Sequence, residues 1–261
     1  MSAETLTVAL AQISPERGNV TANATSAAAL IGTAAAAGAR LLVFPELSLV
    51  GYDLVLFADP SAWITEDDPR LDVARKAAAE NGVTAVLGGA YRDADGTGSI
   101  ASLAMRPDGN VHVYRKHYLH GRERDLFQPG RTSSVLDVDG WHVALAICYD
   151  AAVPGHAEAA ARQGAEIYAA SALYTLREAR RLDVHFAARA MDNRMFAVVA
   201  NFAGTGPGWE SCGGSGVWHP DGTRLTQAGA SPGLVTASLA RSELRQLRDN
   251  DALAGYTRGA V

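Results

Sequence analysis

Cysteine is almost missing: the 261 residues contain two, Cys148 and Cys212. A chain of this length with so few thiols has no disulfide framework, the staple of small secreted folds. The opening MSAETLTVALAQI has no basic start ahead of a long apolar core, so no secretory leader is expected and the protein reads as soluble and cytoplasmic. Long hydrophobic runs are missing too. The greasiest stretch, AAALIGTAAAAGA, is too short and too rich in Ala and Gly to cross a bilayer, which takes about 20 apolar residues, so no membrane association is expected. Charge of one sign is not concentrated either. The 23 basic and 28 acidic residues leave a net charge of -5, and the basic ones are scattered, without the stripe that a phosphate backbone requires. Nucleic acid is therefore not expected as a partner. No Pro/Ser-rich linker, charge block or short-period repeat divides the chain, so residues 1–261 read as one domain, and 48% apolar residues suffice for a substantial core.

What is present is ordered. TLTVALAQI alternates apolar residues at Leu6, Val8 and Leu10 and reads as a strand. In NVTANATSAAALIGTAAAAGAR the apolar positions Val20, Ala24, Ala27, Ala28, Ile31, Ala34 and Ala35 recur at helical spacing until Gly38 stops them. RLLVFP follows as a buried strand. The unit then returns: Asp68 caps a helix with Pro69 at its first position, the helix runs to Asn81 and Gly82, and VTAVLGGAYR is the next strand. The middle changes character, with short strands at SIASLAM, NVHVYR, SSVLDV and WHVALAI separated by the turns RPDGN and VDGW. After Cys148 the order is helix (PGHAEAAARQG), strand (AEIYAAS), long helix (LREARRLDVHFAARAMDNR), strand (MFAVVAN) and a last hairpin around HPDG. One parallel sheet would not contain so many tight hairpins, so the order predicts an α/β protein with two sheets.

Ionisable groups end apolar strands at three places: Glu46 after LLVFP, Lys116 after VHVYR and Cys148 after VALAI. Strand ends of layered α/β proteins open into the crevice where ligands bind, so the three could converge there. Each also has a plain reading, as a solvated loop acid, a surface charge and a small core hydrophobe. Together they make an acyl-transfer set. A carboxylate in a dry pocket can take the thiol proton, the thiolate attacks, and an ammonium with the backbone N–H after the nucleophile stabilises the oxyanion.

Here the sequence resembles the nitrilase superfamily, the carbon-nitrogen hydrolases, over nearly its whole length. FPELSLVGYD looks like the glutamate motif with Glu46, YRKHYL the lysine motif with Lys116, and ICYD the cysteine motif with Cys148. RERDLFQPG is similar to a fourth signature and puts a second, positioning glutamate at Glu123, whose plain alternative is an ion pair with Arg122 or Arg124. The resemblance implies a four-layer αββα sandwich with two mixed β-sheets, pairing into homodimers or larger assemblies. It also implies hydrolysis of a non-peptide C–N bond through a thioester, with no metal or other cofactor. Glu123 would hydrogen-bond Lys116 and keep it charged against the low dielectric.

The chain departs from the family at CYDAAVPGH, where Ala152, Val153 and Gly155 stand in place of arginine, phenylalanine and glutamate, and at AASALY, which offers Ser171, Ala172 and Tyr174 where a Trp or Asn is frequent. Tyr52, Tyr149, Ser171 and Tyr174 are the candidate substrate contacts, and loops 52–60, 117–130 and 172–180 the expected shapers of specificity. His117 and His120 lack the further ligands of a zinc site, GGSGV misses the last position of a serine-hydrolase turn, and Cys212 reads as structural. The expected substrate is a small amide or N-carbamoyl compound. A nitrile hydrolyser and a catalytically silent binding module are the alternatives.

Overall fold

The computed structural model describes residues 3–132 and 135–254. Ser133 and Ser134, the start of the strand expected at SSVLDV, lie outside the described residues. In chain order the elements are β1 (Thr5–Gln12), α1 (Val20–Ala36), β2 (Leu41–Val43), β3 (Trp63–Ile64), α2 (Asp72–Asn81), β4 (Thr84–Arg92), β5 (Gly98–Met105), β6 (Val111–Arg115), β7 (Val135–Val138), β8 (Trp141–Ile147), α3 (Pro154–Arg162), β9 (Ile167–Ala172), α4 (Ala179–Asn193), β10 (Phe196–Asn201), β11 (Thr205–Gly206), β12 (Trp209–Glu210), β13 (Gly216–Trp218), β14 (Arg224–Gln227), β15 (Gly233–Ala240) and α5 (Arg241–Leu253).

Two sheets carry the fold. The first runs β15-β1-β2-β4-β5-β6, with β3 also on β4, and the second runs β14-β13-β10-β9-β8-β7. Both are mixed: β1, β2 and β4 are parallel, as are β8, β9 and β10, and antiparallel strands complete each side. Side-chain alternation sorts the second sheet into two faces. Val143, Leu145, Ile147, Ile167, Ala169 and Val198 enter the core between the sheets, while Ala144, Ala146, Tyr168, Ala170, Ala197 and Val199 meet Ala157, Ala160, Leu182, Phe186 and Ala190 of α3 and α4. α1 and α2 bury Val20, Ala24, Ala27, Ile31, Ala34, Ala74 and Ala78 on the first sheet. The result is the four-layer αββα sandwich.

Several elements differ from the sequence reading. Asp68 does cap, accepting from Arg70 N, but Pro69–Leu71 is a 3-10 turn and the α-helix begins at Asp72. Leu176–Glu178 is likewise a 3-10 turn ahead of α4, because Glu178 folds back to accept from Thr175 N. The chain past the HPDG hairpin contains β15 and α5, which the reading left unassigned. Both are little buried: β15 is mostly half-buried or exposed, and α5 buries only Arg241 and Leu244. What holds them is long-range. β15 pairs with β1 along its whole length, and Arg241 donates to Glu166 Oε1 at 2.7 Å and to Gly140 O at 2.7 Å while lying over the Trp141 ring. No helix among the described residues is long and apolar enough to cross a membrane.

Candidate active site

β2 and β4 are parallel, and β5 and β6 each reverse direction, so β6 runs with β2 and both leave the first sheet at the same end. Lys116 follows β6 directly, Glu46 follows β2 after Phe44 and Pro45, and Cys148 follows β8. The glutamate loop lies so close on β4 that a Cβ at Gly88 would come within 2.4 Å of Pro45 O and 2.5 Å of Leu47 N. Only glycine fits there, because backbone cannot give way as a flexible side chain could.

The structure brings Glu46, Lys116 and Glu123 into one buried cluster. Lys116 Nζ donates to Glu46 Oε1 at 2.7 Å and lies 2.8 Å from both carboxylate oxygens of Glu123. Glu123 is therefore no surface partner of Arg122 or Arg124: it is 1% exposed, and it also accepts from Tyr52 Oη at 2.7 Å and His120 N at 2.7 Å. Glu46 Oε2 is buried without a hydrogen-bond partner.

These contacts set the protonation chemistry. Burial pushes the Glu46 carboxyl up to about 7; the Lys116 ammonium opposes this, Glu123 reinforces it, and the Cys148 thiol contributes a smaller lowering. Burial would lower the Lys116 pKa, but Glu46, Cys148 and Glu123 outweigh it and hold the amine firmly as ammonium. The Cys148 thiol is pushed well up, first by burial and next by the Glu46 charge, against the pull of Lys116. The resting site thus holds a thiol, with a carboxyl poised near neutrality beside it, and not a preformed thiolate.

Cys148 itself has φ 47°, the left-handed region that side chains with a Cβ rarely adopt. Such an outlier persists only where its surroundings over-determine it. Here the surroundings include Asp150, a fully buried residue that sequence reasoning missed. Its Oδ2 accepts from Ile147 N at 2.9 Å and Tyr114 Oη at 2.6 Å, and its Oδ1 from His117 N at 3.1 Å and Tyr118 N at 2.8 Å. One carboxylate thereby ties the turn that bears Cys148 to the residues just after Lys116. Its signal was the D of ICYD, which alone does not reveal its partners. Asn201, at the end of β10, was also missed: it accepts from Tyr174 N at 2.7 Å and donates to Gly213 O at 2.6 Å, fixing the segment beyond β9.

A cavity of about 190 Å³ opens over Cys148, with Tyr52, Tyr149, Tyr174, Leu173, Ala152 and Trp209 among its walls. Three of the four candidate contacts therefore line it. Ser171 does not, which corrects that expectation. Alternation along β9 turns it the same way as Ile167 and Ala169, into the layer between the sheets, where it is 1% exposed and Ser102 Oγ lies 3.5 Å from its hydroxyl. The cavity wall comes from Leu173 and Tyr174, past the end of β9. Ala152 in the wall means that the departure from the family's arginine borders the cavity. His120 lines the cavity and packs its ring 5.1 Å from that of Tyr149. No group of three or more His, Cys, Asp or Glu among the described residues could hold a metal ion. Cys212 lies outside the cavity lining, its Sγ 3.5 Å from Asn201 Nδ2, and burial raises its thiol to about 11.

Comparisons with known proteins find amidases of similar sequence and fold. An (R)-stereoselective amidase of Pseudomonas sp. is 33% identical over 196 residues, 72% of this chain and 69% of that protein. The 2-oxoglutaramate amidase of Bacillus subtilis is 27% identical over 217 residues, 81% of this chain and 82% of its own length. Among solved structures, a cysteine-to-alanine mutant of the amidase from Nesterenkonia sp. AN1 in complex with butyramide superposes with a TM-score of 0.83 at 26% identity, covering 95% of this chain and 96% of that one. The sequence matches the carbon-nitrogen hydrolase family model over residues 7–249. A match of that extent, with the shared four-layer fold, settles the kinship: the chain belongs to the carbon-nitrogen hydrolase family, in the amidase-like branch of the nitrilase superfamily.

Proposed function

We propose that the protein is an amidase that cleaves the C–N bond of a small amide, or of an N-carbamoyl compound, through a thioester on Cys148. The observation that carries this reading is the Lys116 ammonium clamped between the Glu46 and Glu123 carboxylates, with the cavity opening over Cys148. Glu46 takes the thiol proton as sulfur attacks the amide carbon. Lys116 Nζ and the Tyr149 backbone N–H hold the oxyanion. As the tetrahedral intermediate collapses, Glu46 returns the proton to the departing nitrogen, and ammonia or an amine leaves. Water, deprotonated by the same carboxylate, then attacks the thioester, and the acid departs as Cys148 regains its proton. Glu123 keeps Lys116 charged and aimed, and Tyr52 keeps Glu123 in place.

The butyramide bound by the Nesterenkonia relative supports a short-chain amide as substrate, and the cavity volume suits one. The experiment is ammonia release from a panel of small amides and N-carbamoyl compounds, run beside the matching nitriles. Hydrolysis of amides is the expected result. Consumption of nitriles with the amides left untouched would replace this reading by the nitrile alternative, and inertness toward every compound would favour the binding module.

Asp150 provides a second handle on the mechanism. In Asp150→Asn one acceptor becomes an NH₂ group that faces existing donors, so the two strand ends lose their common anchor. Turnover should fall by about 100-fold, the scale of a 1 Å misplacement, with KM little changed. Steady-state kinetics at pH 8 measure it, and a purely KM effect would contradict the positioning role.

A further inference from the structure

A second cavity, of about 140 Å³, lies beside the catalytic one. Among the described residues the two share only Tyr52 and Trp209 in their lining. Tyr52 is committed to Glu123, so the removable part of the wall is the Trp209 indole.

That indole is held from three sides. Its Nε1 donates to the Tyr52 carbonyl at 2.8 Å, and its ring centroid lies 5.4 Å from that of Phe202. It also rests on the backbone of Gly206, its partner across the β11–β12 hairpin, where a Cβ would come within 2.2 Å of the ring. Such a ring is held in place rather than left as a loose rim group. Behind it the second cavity has Phe202 and Pro207 as apolar lining, with Ser14 and the Arg17–Asp53 ion pair among its polar groups.

From this geometry we infer that Trp209 is a specificity-determining residue: it ends the acyl pocket and confines the enzyme to amides with short, unbranched acyl groups. Substrates with an aryl or long alkyl acyl group need the space that the indole divides off. The inference rests on the amidase reading, and the test separates the two.

Relative kcat/KM is measured for butyramide and phenylacetamide with the wild type, Trp209→Ala and Trp209→Phe. The alanine variant joins the cavities and should move the ratio toward phenylacetamide by about tenfold or more, the scale on which a pocket discriminates small differences in apolar bulk. The phenylalanine variant keeps a ring but loses the hydrogen bond to Tyr52, so its ratio should stay close to that of the wild type. An unchanged ratio in Trp209→Ala overturns the inference. An equal shift in Trp209→Phe also overturns it, since the effect would then run through Tyr52.

Two measurements remain informative if the alanine variant does not fold or no amide is turned over. With the wild type alone, kcat/KM should fall steeply as the acyl chain lengthens beyond butyramide, and a flat series overturns the partition. Without turnover, alkylation of Cys148 by iodoacetamide and by its N-benzyl derivative, read by mass spectrometry, should show the bulky reagent gaining on the small one when Trp209 is shortened. No gain there counts against Trp209, whereas loss of amide hydrolysis with the gain intact counts against the amidase reading alone.

Discussion

Cys148→Ala should leave no measurable ammonia release from any amide that the wild type hydrolyses, a loss on the order of 10⁴-fold or more in kcat, as when a covalent nucleophile is deleted from a cooperating set. The acyl-protein adduct, detectable by mass spectrometry after a rapid acid quench, should vanish with it. Residual turnover at more than about a hundredth of the wild-type rate would mean that another group attacks the amide. The backbone makes a further statement about this position. Cys148 adopts φ 47°, and a Cβ in that region costs about 1–2 kcal/mol relative to glycine. Cys148→Gly should therefore be the more stable of the two inactive proteins in urea, although glycine normally loosens a chain. The strained backbone of Cys148 presents its sulfur at the end of β8, and the Asp150 hydrogen bonds restrain the turn that does so.

Glu46→Gln should lower kcat/KM by about 10³- to 10⁴-fold, because in the proposed mechanism one carboxylate moves the proton in both acylation and hydrolysis of the thioester. The pH profile identifies its role. Burial pushes the Glu46 carboxyl up to about 7, so in the wild type the basic form is lost as pH falls below that value. The rate should then drop about tenfold per pH unit. Glutamine cannot titrate, and the residual activity of the variant should lack this acid limb. A wild-type rate that stays level down to pH 5 would remove Glu46 from the role of base.

The same shift affects stability with a definite sign. A carboxyl that is harder to ionise folded than unfolded binds more protons in the folded state between its unfolded value, 4.5, and about 7. The folded protein therefore loses stability as pH rises through that window. Glu46→Gln escapes this loss and leaves Lys116 paired with Glu123 alone, one charge of each sign. In chemical denaturation at pH 8 the variant should be more stable than the wild type, while at pH 4.5 the difference should shrink. Activity and stability should then pull in opposite directions at this residue.

Local pattern carried much of the fold. β8 was legible to the residue from WHVALAI, α1 from apolar residues at helical spacing up to Gly38, and the end of α2 from Asn81 and Gly82. The strand-end positions of Glu46, Lys116 and Cys148, with the motifs around them, were legible for the same reason: each lies within a few residues of an apolar run that marks where a strand stops. β15 and α5 went unassigned, and what holds them is long-range: pairing with β1 and the Arg241 contacts, neither of which can be read from neighbouring residues. Ser171 was misplaced because a strand end has two faces, and proximity to the end does not tell which face meets the cavity.

By itself, then, the sequence determined which chemical groups exist, in what order, and at which strand ends they sit, since hydrophobic periodicity and turn residues are local properties. Only the tertiary structure decided their partners: Lys116 shared between Glu46 and Glu123, Asp150 tying two strand ends together, and Trp209 lining two cavities. The physical reason is that hydrogen bonds, burial and the pKa shifts they produce depend on distances across the sandwich. Those distances are set when two sheets pack, not by spacing along the chain.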